Sequence, residues 1–224
     1  MGLVLQKKAI HGEAFFALEQ TAGKGQMGRH WITNKGENLI LSIVLETALL
    51  QPPALFSLNL AMSLAAYDYL FQMAGDECSI KWPNDLYWRD RKAGGILIES
   101  SWKGTHWQFA IVGMGINVNQ AVFGEGMKNP VSLKQITGKT TDLMLAVQQL
   151  CSCLELRWQQ LLRGETAMLL NSYNQVLYAR NSMVQLQAKD QVYTTTVIGV
   201  NGNGELLTSD SEERKFKAGE VSWL

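Results

Sequence analysis

The sequence predicts an α+β fold: a mixed β-sheet with segregated helices, followed by a small barrel-like β appendage. Three observations carry this. Apolar runs of strand length gather in the first half, two segments with helical spacing stand apart from them, and after Ser182 the pattern is purely β. Strands and helices that segregate in this way form α+β rather than doubly wound domains.

In chain order, Glu13–Glu19 is short, apolar and bounded by glycine, which predicts a buried strand. Thr21–Glu37 holds four glycines and few core formers and reads as a long loop. Asn38–Glu46 is continuously apolar, as in a strand covered on both faces. Pro52 and Pro53 punctuate the chain, and Phe56–Met73 follows helical spacing through Leu60, Leu64, Tyr67 and Leu70–Phe71, with Gly75 as its stop. Strands are expected at Ser79–Trp82, Gly95–Trp102 and Trp107–Val112, joined by turns at Pro83-Asn84-Asp85, Gly94-Gly95 and Lys103-Gly104. Asn119–Pro130 reads as a loop, Asp142–Leu162 as an amphipathic helix, and Glu165 to about Tyr178 as a shorter one. The tail offers strands at Met183–Leu186, Val192–Val200, Leu206–Thr208 and Val221–Leu224, with Asn201-Gly202-Asn203-Gly204 as a hairpin turn. The boundary falls between a main domain, 1–179, and an appendage, 180–224, that depends on it for stability.

Composition limits the function. Of 224 residues, 46% are apolar and 18% charged, enough for a core and too ordered a mix for a disordered chain. Twenty basic residues match twenty acidic ones, which argues against a nucleic-acid partner. Cys78, Cys151 and Cys153 cannot all pair, so a reducing compartment is expected. No apolar run reaches the ~20 residues of a membrane span, and no signal peptide is read, so the expected location is cytoplasmic.

Gly23-Lys24-Gly25-Gln26-Met27-Gly28 fits the expression for a dinucleotide-binding loop. The residues that follow Gly28 cannot open a helix, so the phosphate site of that motif is missing. What remains is a glycine-rich loop with Lys24, Arg29 and His30, suited to an anion or to solvent exposure. A second constellation favours the anion. Lys81-Trp82-Pro83-Asn84-Asp85 places a cation, an aromatic, an amide and a carboxylate together, and Lys92 precedes Gly94-Gly95 where it can project into a cleft. Asn84 and Asp85 can hold a hydrated Mg²⁺ or the groups around it. A third glycine turn is read at Gly113–Asn119. The three together suggest a nucleotide-plus-anion site. His11, His30 and His106 lack ligand spacing, and Cys151-x-Cys153 reads as helix packing.

These segments resemble biotin protein ligases. Gln20–Trp31 is similar to the family's biotinyl-adenylate loop, and Lys81-Trp82-Pro83-Asn84-Asp85 to its most recognisable motif. Lys92–Glu99 and Gly113–Asn117 match the next two in order, and Gly219-Glu220-Val221-Ser222 resembles part of an SH3-like C-terminal domain. The resemblance implies a class II synthetase-like catalytic domain with an SH3-like β-barrel. It also implies ATP and Mg²⁺ as cofactors, biotin as substrate, formation of biotinyl-5'-AMP, and transfer of biotin to a lysine of a biotin carboxyl carrier protein. By the same resemblance Gln20, Gly23, Lys24, Gly25, Gln26, Lys92 and Gly95 hold biotin, and Lys92 and Arg29 are catalytic. Arg29, Trp31, Asn84, Asp85 and Asn117 serve the nucleotide, with Asp85 and Asn84 toward Mg²⁺.

Two departures stand out. Gln26 occupies a position where many members have Arg. The family's Ser-Thr-Asn helix start is absent from the chain as it begins, with Leu3–Ile10 read as the end of that helix, so a start further upstream is expected. No room is seen for an N-terminal DNA-binding domain, so repressor function is not expected. A lipoate or octanoate transferase and a non-catalytic biotin-binding relative are the competing functions. The sequence leaves open a homodimer through a sheet edge.

Overall fold

The computed structural model describes residues 10–28, 31, 33–50, 54–124 and 128–224. The readings at Arg29, His30 and Pro52-Pro53, and the helix end read at Leu3–Ile10 except for Ile10 itself, lie outside the described residues.

Six strands form the first sheet: β1 (Ala14–Phe16), β2 (Asn38–Glu46), β3 (Cys78–Lys81), β4 (Asp85–Trp88), β5 (Arg91–Lys103) and β6 (His106–Asn117). Their spatial order is β1-β2-β6-β5-β4-β3. Every pairing between them is antiparallel. The expected mixed sheet is corrected accordingly, parallel contact being confined to isolated bridges such as Lys92–Pro130. Short turns join β3 through β6, and only antiparallel neighbours can be joined that way.

Antiparallel register divides this sheet into two unlike faces. One carries Leu39, Leu41 and Leu45 of β2, Ile116, Met114, Val112 and Ala110 of β6, Ile96 of β5 and Leu86 of β4, all buried in one continuous core. Four helices meet that core: α1 (Ala54–Ala74), α2 (Leu133–Thr137), α3 (Leu143–Leu162) and α4 (Thr166–Gln175). The α1 helix packs against α3, α4 and the strands β3 and β4. Leu58, Leu60, Met62, Leu64, Ala65, Tyr69 and Leu70 are therefore buried around most of its circumference. The apolar positions with helical spacing at Leu60, Leu64, Tyr67 and Leu70–Phe71 mark only part of this contact, since a central helix has little wet face. Between α1 and α3, Arg157 holds Asp68 through two bonds of 2.7 and 2.9 Å.

Several expected elements differ. The β1 strand is an edge strand with Phe15 exposed, not a buried one. Of the turn expected at Pro83-Asn84-Asp85, Pro83 and Asn84 lie in a turn and Asp85 opens β4, while Gly94-Gly95 and Gly113–Asn117 lie inside β5 and β6 rather than in turns. Pairing on both sides draws these residues into the sheet despite their turn-forming composition. The α2 helix begins beyond the loop read at Asn119–Pro130, in a stretch with no predicted element; Ser132 and Gln135 form a complete capping box and Gly138 ends it in the left-handed conformation.

The tail forms a second antiparallel sheet from β7 (Met183–Ala188), β8 (Gln191–Val200), β9 (Leu206–Ser209), β10 (Glu213–Phe216) and β11 (Ser222–Trp223). Its order, β10-β9-β8-β7-β11, leaves both end strands unpaired on their outer sides, so no closed barrel forms among the described residues. Leu186, Val197, Val200, Leu206 and Phe216 join the same hydrophobic core as the helices. Asn174 at the end of α4 clasps Val200 from both directions, accepting from its N–H at 2.7 Å and donating to its carbonyl at 2.9 Å.

Candidate functional site

The first face is uniformly apolar, whereas the second mixes glycine, serine and charge with apolar side chains. Register places Ile40, Gly115, Gly95 and Asp85 in one row across β2, β6, β5 and β4. Ser42, Gly113 and Leu97 form the next row, and Val44, Ile111 and Glu99 the one after. Above these rows lies a cleft of about 450 Å³, walled by Gln20, Lys24, Gly25, Gln26 and Trp31 of the glycine loop, and by Gly219, Val221, Ser222 and Trp223 of the tail. Among the described residues, Lys24, Lys81, Lys92 and Lys128 line it against Asp85 and Glu99, so a chain with no net charge concentrates cations here.

A β-bulge aims the central lysine. The register between β4 and β5 shifts between Leu86 and Tyr87, so that Lys92 lies opposite Tyr87. With regular alternation, Ala93 would occupy the open face, and Lys92 would face the core; the extra residue reverses this. Lys92 Nζ then reaches Asp85 Oδ1 at 2.6 Å, with both side chains about a quarter exposed. The backbone of Lys92 is fixed independently. Its N–H donates to Asn129 O and its carbonyl accepts from Val131 N–H, both at 2.8 Å, and the Asn117 amide donates to the same carbonyl at 3.3 Å.

Glycines set the depth of the floor. The Trp31 indole lies so close to Gly115 that a Cβ there would sit 2.5 Å from Cε2. Lys92 Nζ is 5.9 Å from the centre of the same ring. A Cβ on Gly95 would press on Asp85 Oδ1 at 3.1 Å. In the loop, Trp31 N–H donates to Gly23 O at 3.0 Å, folding the segment back on itself beside the sheet.

The Lys-Trp-Pro-Asn-Asp segment divides its labour. Trp82 is buried and its indole N–H donates to Gly204 O at 3.0 Å, anchoring the hairpin turn of the second sheet. The Trp82–Pro83 peptide is cis. Pro83 O accepts from Tyr173 Oη at 2.9 Å, and burial, with Asp85 adding to it, holds that phenol well above its usual range and therefore protonated. Asn84 is buried, with its amide N–H₂ donating to Ile96 O. Lys81 sits among the rings of Tyr87, Tyr178 and Trp223, 4.7, 4.9 and 5.0 Å from their centres. Burial first, then neighbouring Lys128, pushes its pKa down to about 8, while Asp85 acts in the opposite sense.

The structure thus brings Gln20, Lys24, Gly25, Gln26, Trp31, Asn84, Asp85, Lys92 and Gly95 to one cleft. Gly23 stands behind the loop, and Asn117 is buried with its amide committed to the carbonyls of Lys92 and Val131. Arg29 lies outside the described residues. Sequence reasoning passed over Lys81 as a charge in its own right, together with Tyr87, Tyr178, Trp223 and Glu99. Two of the three aromatic partners of Lys81, Tyr178 and Trp223, come from distant segments, and no local spacing could have announced them.

No group of three or more His, Cys, Asp or Glu side chains suited to a metal occurs among the described residues. Burial pushes the Cys78 thiol up to about 12 and raises Cys153 as well, as expected of packing cysteines rather than nucleophiles. No described helix is long and apolar enough to cross a membrane.

The chain belongs to the biotin/lipoate A/B protein ligase family, whose model matches residues 4–117. It is 30% identical over 219 residues to the bifunctional ligase/repressor BirA of Escherichia coli, covering 94% of this chain and 66% of that protein. It is 37% identical over 142 residues to the biotin–[acetyl-CoA-carboxylase] ligase of Paracoccus denitrificans, covering 59% and 58% of the two chains. Among solved structures, biotin protein ligase from Aquifex aeolicus in complex with biotin and ATP superposes with a TM-score of 0.83 at 26% identity, covering 96% of this chain and 90% of that one. The chain spans just under two thirds of the length of the BirA proteins from Escherichia coli and Bacillus subtilis, 66% and 63%.

Proposed function

We propose that the protein is an ATP-dependent ligase that forms biotinyl-5'-AMP and transfers biotin to a lysine of a biotin carboxyl carrier protein. The observation that carries this is Lys92, turned by the β4–β5 bulge onto a glycine floor and paired with Asp85, in a cleft lined by four lysines. In the first step a carboxylate oxygen of biotin attacks the α-phosphorus of ATP, and the bond to pyrophosphate breaks. In the second, the neutral amine of the carrier lysine attacks the acyl carbon and AMP leaves. The protein's share is to hold two anions together, to meet the charge that builds on phosphate, and to exclude water.

Lys92 is placed between carboxylate and α-phosphate, exchanging its bond to Asp85 for bonds to both. Gln20, Lys24, Gly25, Gln26 and Gly95 line the part of the cleft assigned to biotin, and Trp31 offers the face of its indole to the nucleotide. Behind them, Gly23 gives the loop its return, while Asn84 and Asn117 act through the backbone they brace. Mg²⁺ bound with ATP supplies charge neutralisation of the polyphosphate. Asp85 is the carboxylate suited to it, since magnesium is commonly held by one or two carboxylates together with substrate phosphates. Asn84 fits that role less well because its N–H₂ group is spent on Ile96 O. Repressor activity is no part of the proposal, given twenty basic against twenty acidic residues. In the same reading the second sheet belongs to an SH3-like C-terminal domain beginning near residue 180.

Incubation with ATP, Mg²⁺, labelled biotin and a carrier domain tests the proposal. Label on the carrier lysine is expected. Bound biotin without transfer would instead identify a binding module.

A further inference from the structure

Among the described residues four lysines line the cleft, and they are held in different ways. Lys92 is paired with Asp85, Lys128 donates to Trp223 O at 3.3 Å, and Lys24 stands exposed on the glycine loop. Lys81 is set among the faces of three aromatic rings, and neither step of the proposed reaction uses it. We infer that Lys81 is a self-acylation site: when no carrier lysine is present, its amine takes the acyl group of an adenylate held in the cleft. The inference deepens the ligase reading and rests on the cleft being the adenylate site of that reading.

Strand register supplies the geometry. The row of Ile40, Gly115, Gly95 and Asp85 continues onto β3, where Lys81 is the cross-strand partner of Asp85. Two strand spacings, about 10 Å, separate Lys81 from Gly95, and a flexible four-carbon stem covers much of that gap. Lys81 Nζ lies 4.7 Å from the centre of the Tyr87 ring, and Tyr87 lies opposite Lys92 in the ladder. Lys92, which meets carboxylate and phosphate, and Lys81 therefore flank one tyrosine.

The cage holds this amine in reserve. Ring faces attract an ammonium without a directed bond, so a side chain that gives up its proton is released from them. A lysine packed against apolar surface is also in the setting in which amines serve as nucleophiles. The neutral Nζ attacks the acyl carbon, and an amide C–N bond forms as the bond from that carbon to the phosphate oxygen breaks. AMP leaves with the electron pair, and the proton shed by the nitrogen passes to solvent. The product is an uncharged, bulky side chain at the edge of the cleft. It removes a cation and fills space beside Asp85 and the tail, so a chain idling on adenylate without carrier switches itself off.

The test supplies synthetic biotinyl-5'-AMP to the full chain without carrier and follows acylation by intact mass and peptide mapping. Lys81 should be acylated at least about tenfold faster than exposed lysines such as Lys103, Lys139 and Lys189, because the acyl donor is held beside it. The fast phase should vanish in a Lys81→Met variant shown to be folded by circular dichroism. Similar rates at Lys81 and the exposed lysines of wild type would overturn the inference, as would a Lys81 that stays unmodified or a fast phase that survives in the variant. A parallel reaction with biotin, ATP and Mg²⁺ separates the two readings. Lys81 acylated from the adenylate but not from biotin and ATP would sink the ligase proposal and leave this one standing. Label on a carrier domain with Lys81 unmodified in both reactions would do the reverse.

Discussion

The two faces of the first sheet are written in the same strands, residue by residue, yet answer to different demands. On β2, Leu41 faces the helices and is fully buried, while Ser42 beside it opens on the cleft. On β6, Met114 is core, and Gly115 is the seat of Trp31. The core face gathers large apolar side chains because burial there is what stabilises the domain. The cleft face interrupts its apolar residues with glycine, serine and charge, giving up part of that burial to leave room for a ligand. Stability and function are thus separable at adjacent positions, and substitutions can show it.

The largest effect is expected on the core side. Leu41→Ala should lower the unfolding free energy by about 2–5 kcal/mol, read from urea denaturation, whereas Ser42→Ala should stay within about 0.5 kcal/mol of wild type. Equal losses at both positions would show that the two faces are not distinct in energy. On the cleft side, Lys92→Ala should slow single-turnover adenylate formation at saturating biotin and ATP by roughly 10²–10³, about 2.7–4 kcal/mol of barrier, by analogy with the loss of one preorganised oxyanion donor. Its melting temperature should barely move, and biotin affinity should fall less than the rate. A variant with an unchanged rate and much weaker biotin binding would make Lys92 a ground-state anchor instead.

The smallest effect belongs to Lys81, where the cleft meets the tail. Its pKa is lowered from 10.5 to about 8 by burial and by Lys128. Between those two values the unfolded chain binds more protons at this site than the folded chain. The contribution of Lys81 to stability therefore rises with pH from about 8 to 10.5 and is flat below 8. Denaturation of wild type and Lys81→Met along a pH series checks this: the difference should move in favour of wild type only across that window. A difference independent of pH would mean that the aromatic rings hold the ammonium charged throughout.

Much of the first sheet's strand pattern was readable because it rests on local apolar runs. Asn38–Glu46 is bounded in the structure as the sequence bounds it, and the helices over Ala54–Ala74 and Leu143–Leu162 fall where periodicity puts them. Reading failed where composition and pairing disagree. Asp85 and the glycines at 94, 95, 113 and 115 are turn-forming residues, yet neighbours on both sides hold them in strands. The charged segment Glu213–Phe216 gave no strand signal at all, because its pairing partner, Leu206–Ser209, supplies the apolar side chains.

The sequence by itself determined the motifs, their order, and the family they resemble, since those depend only on residue type and spacing. It also placed Lys92 near a cleft, through the two glycines that follow it. Only the tertiary structure decided which face Lys92 occupies, because a one-residue bulge reverses the alternation and has no signature in composition. The same holds for the cage around Lys81, assembled from Tyr87, Tyr178 and Trp223. These are relations between residues far apart in the chain or set by strand register, and the packing of the whole molecule fixes them.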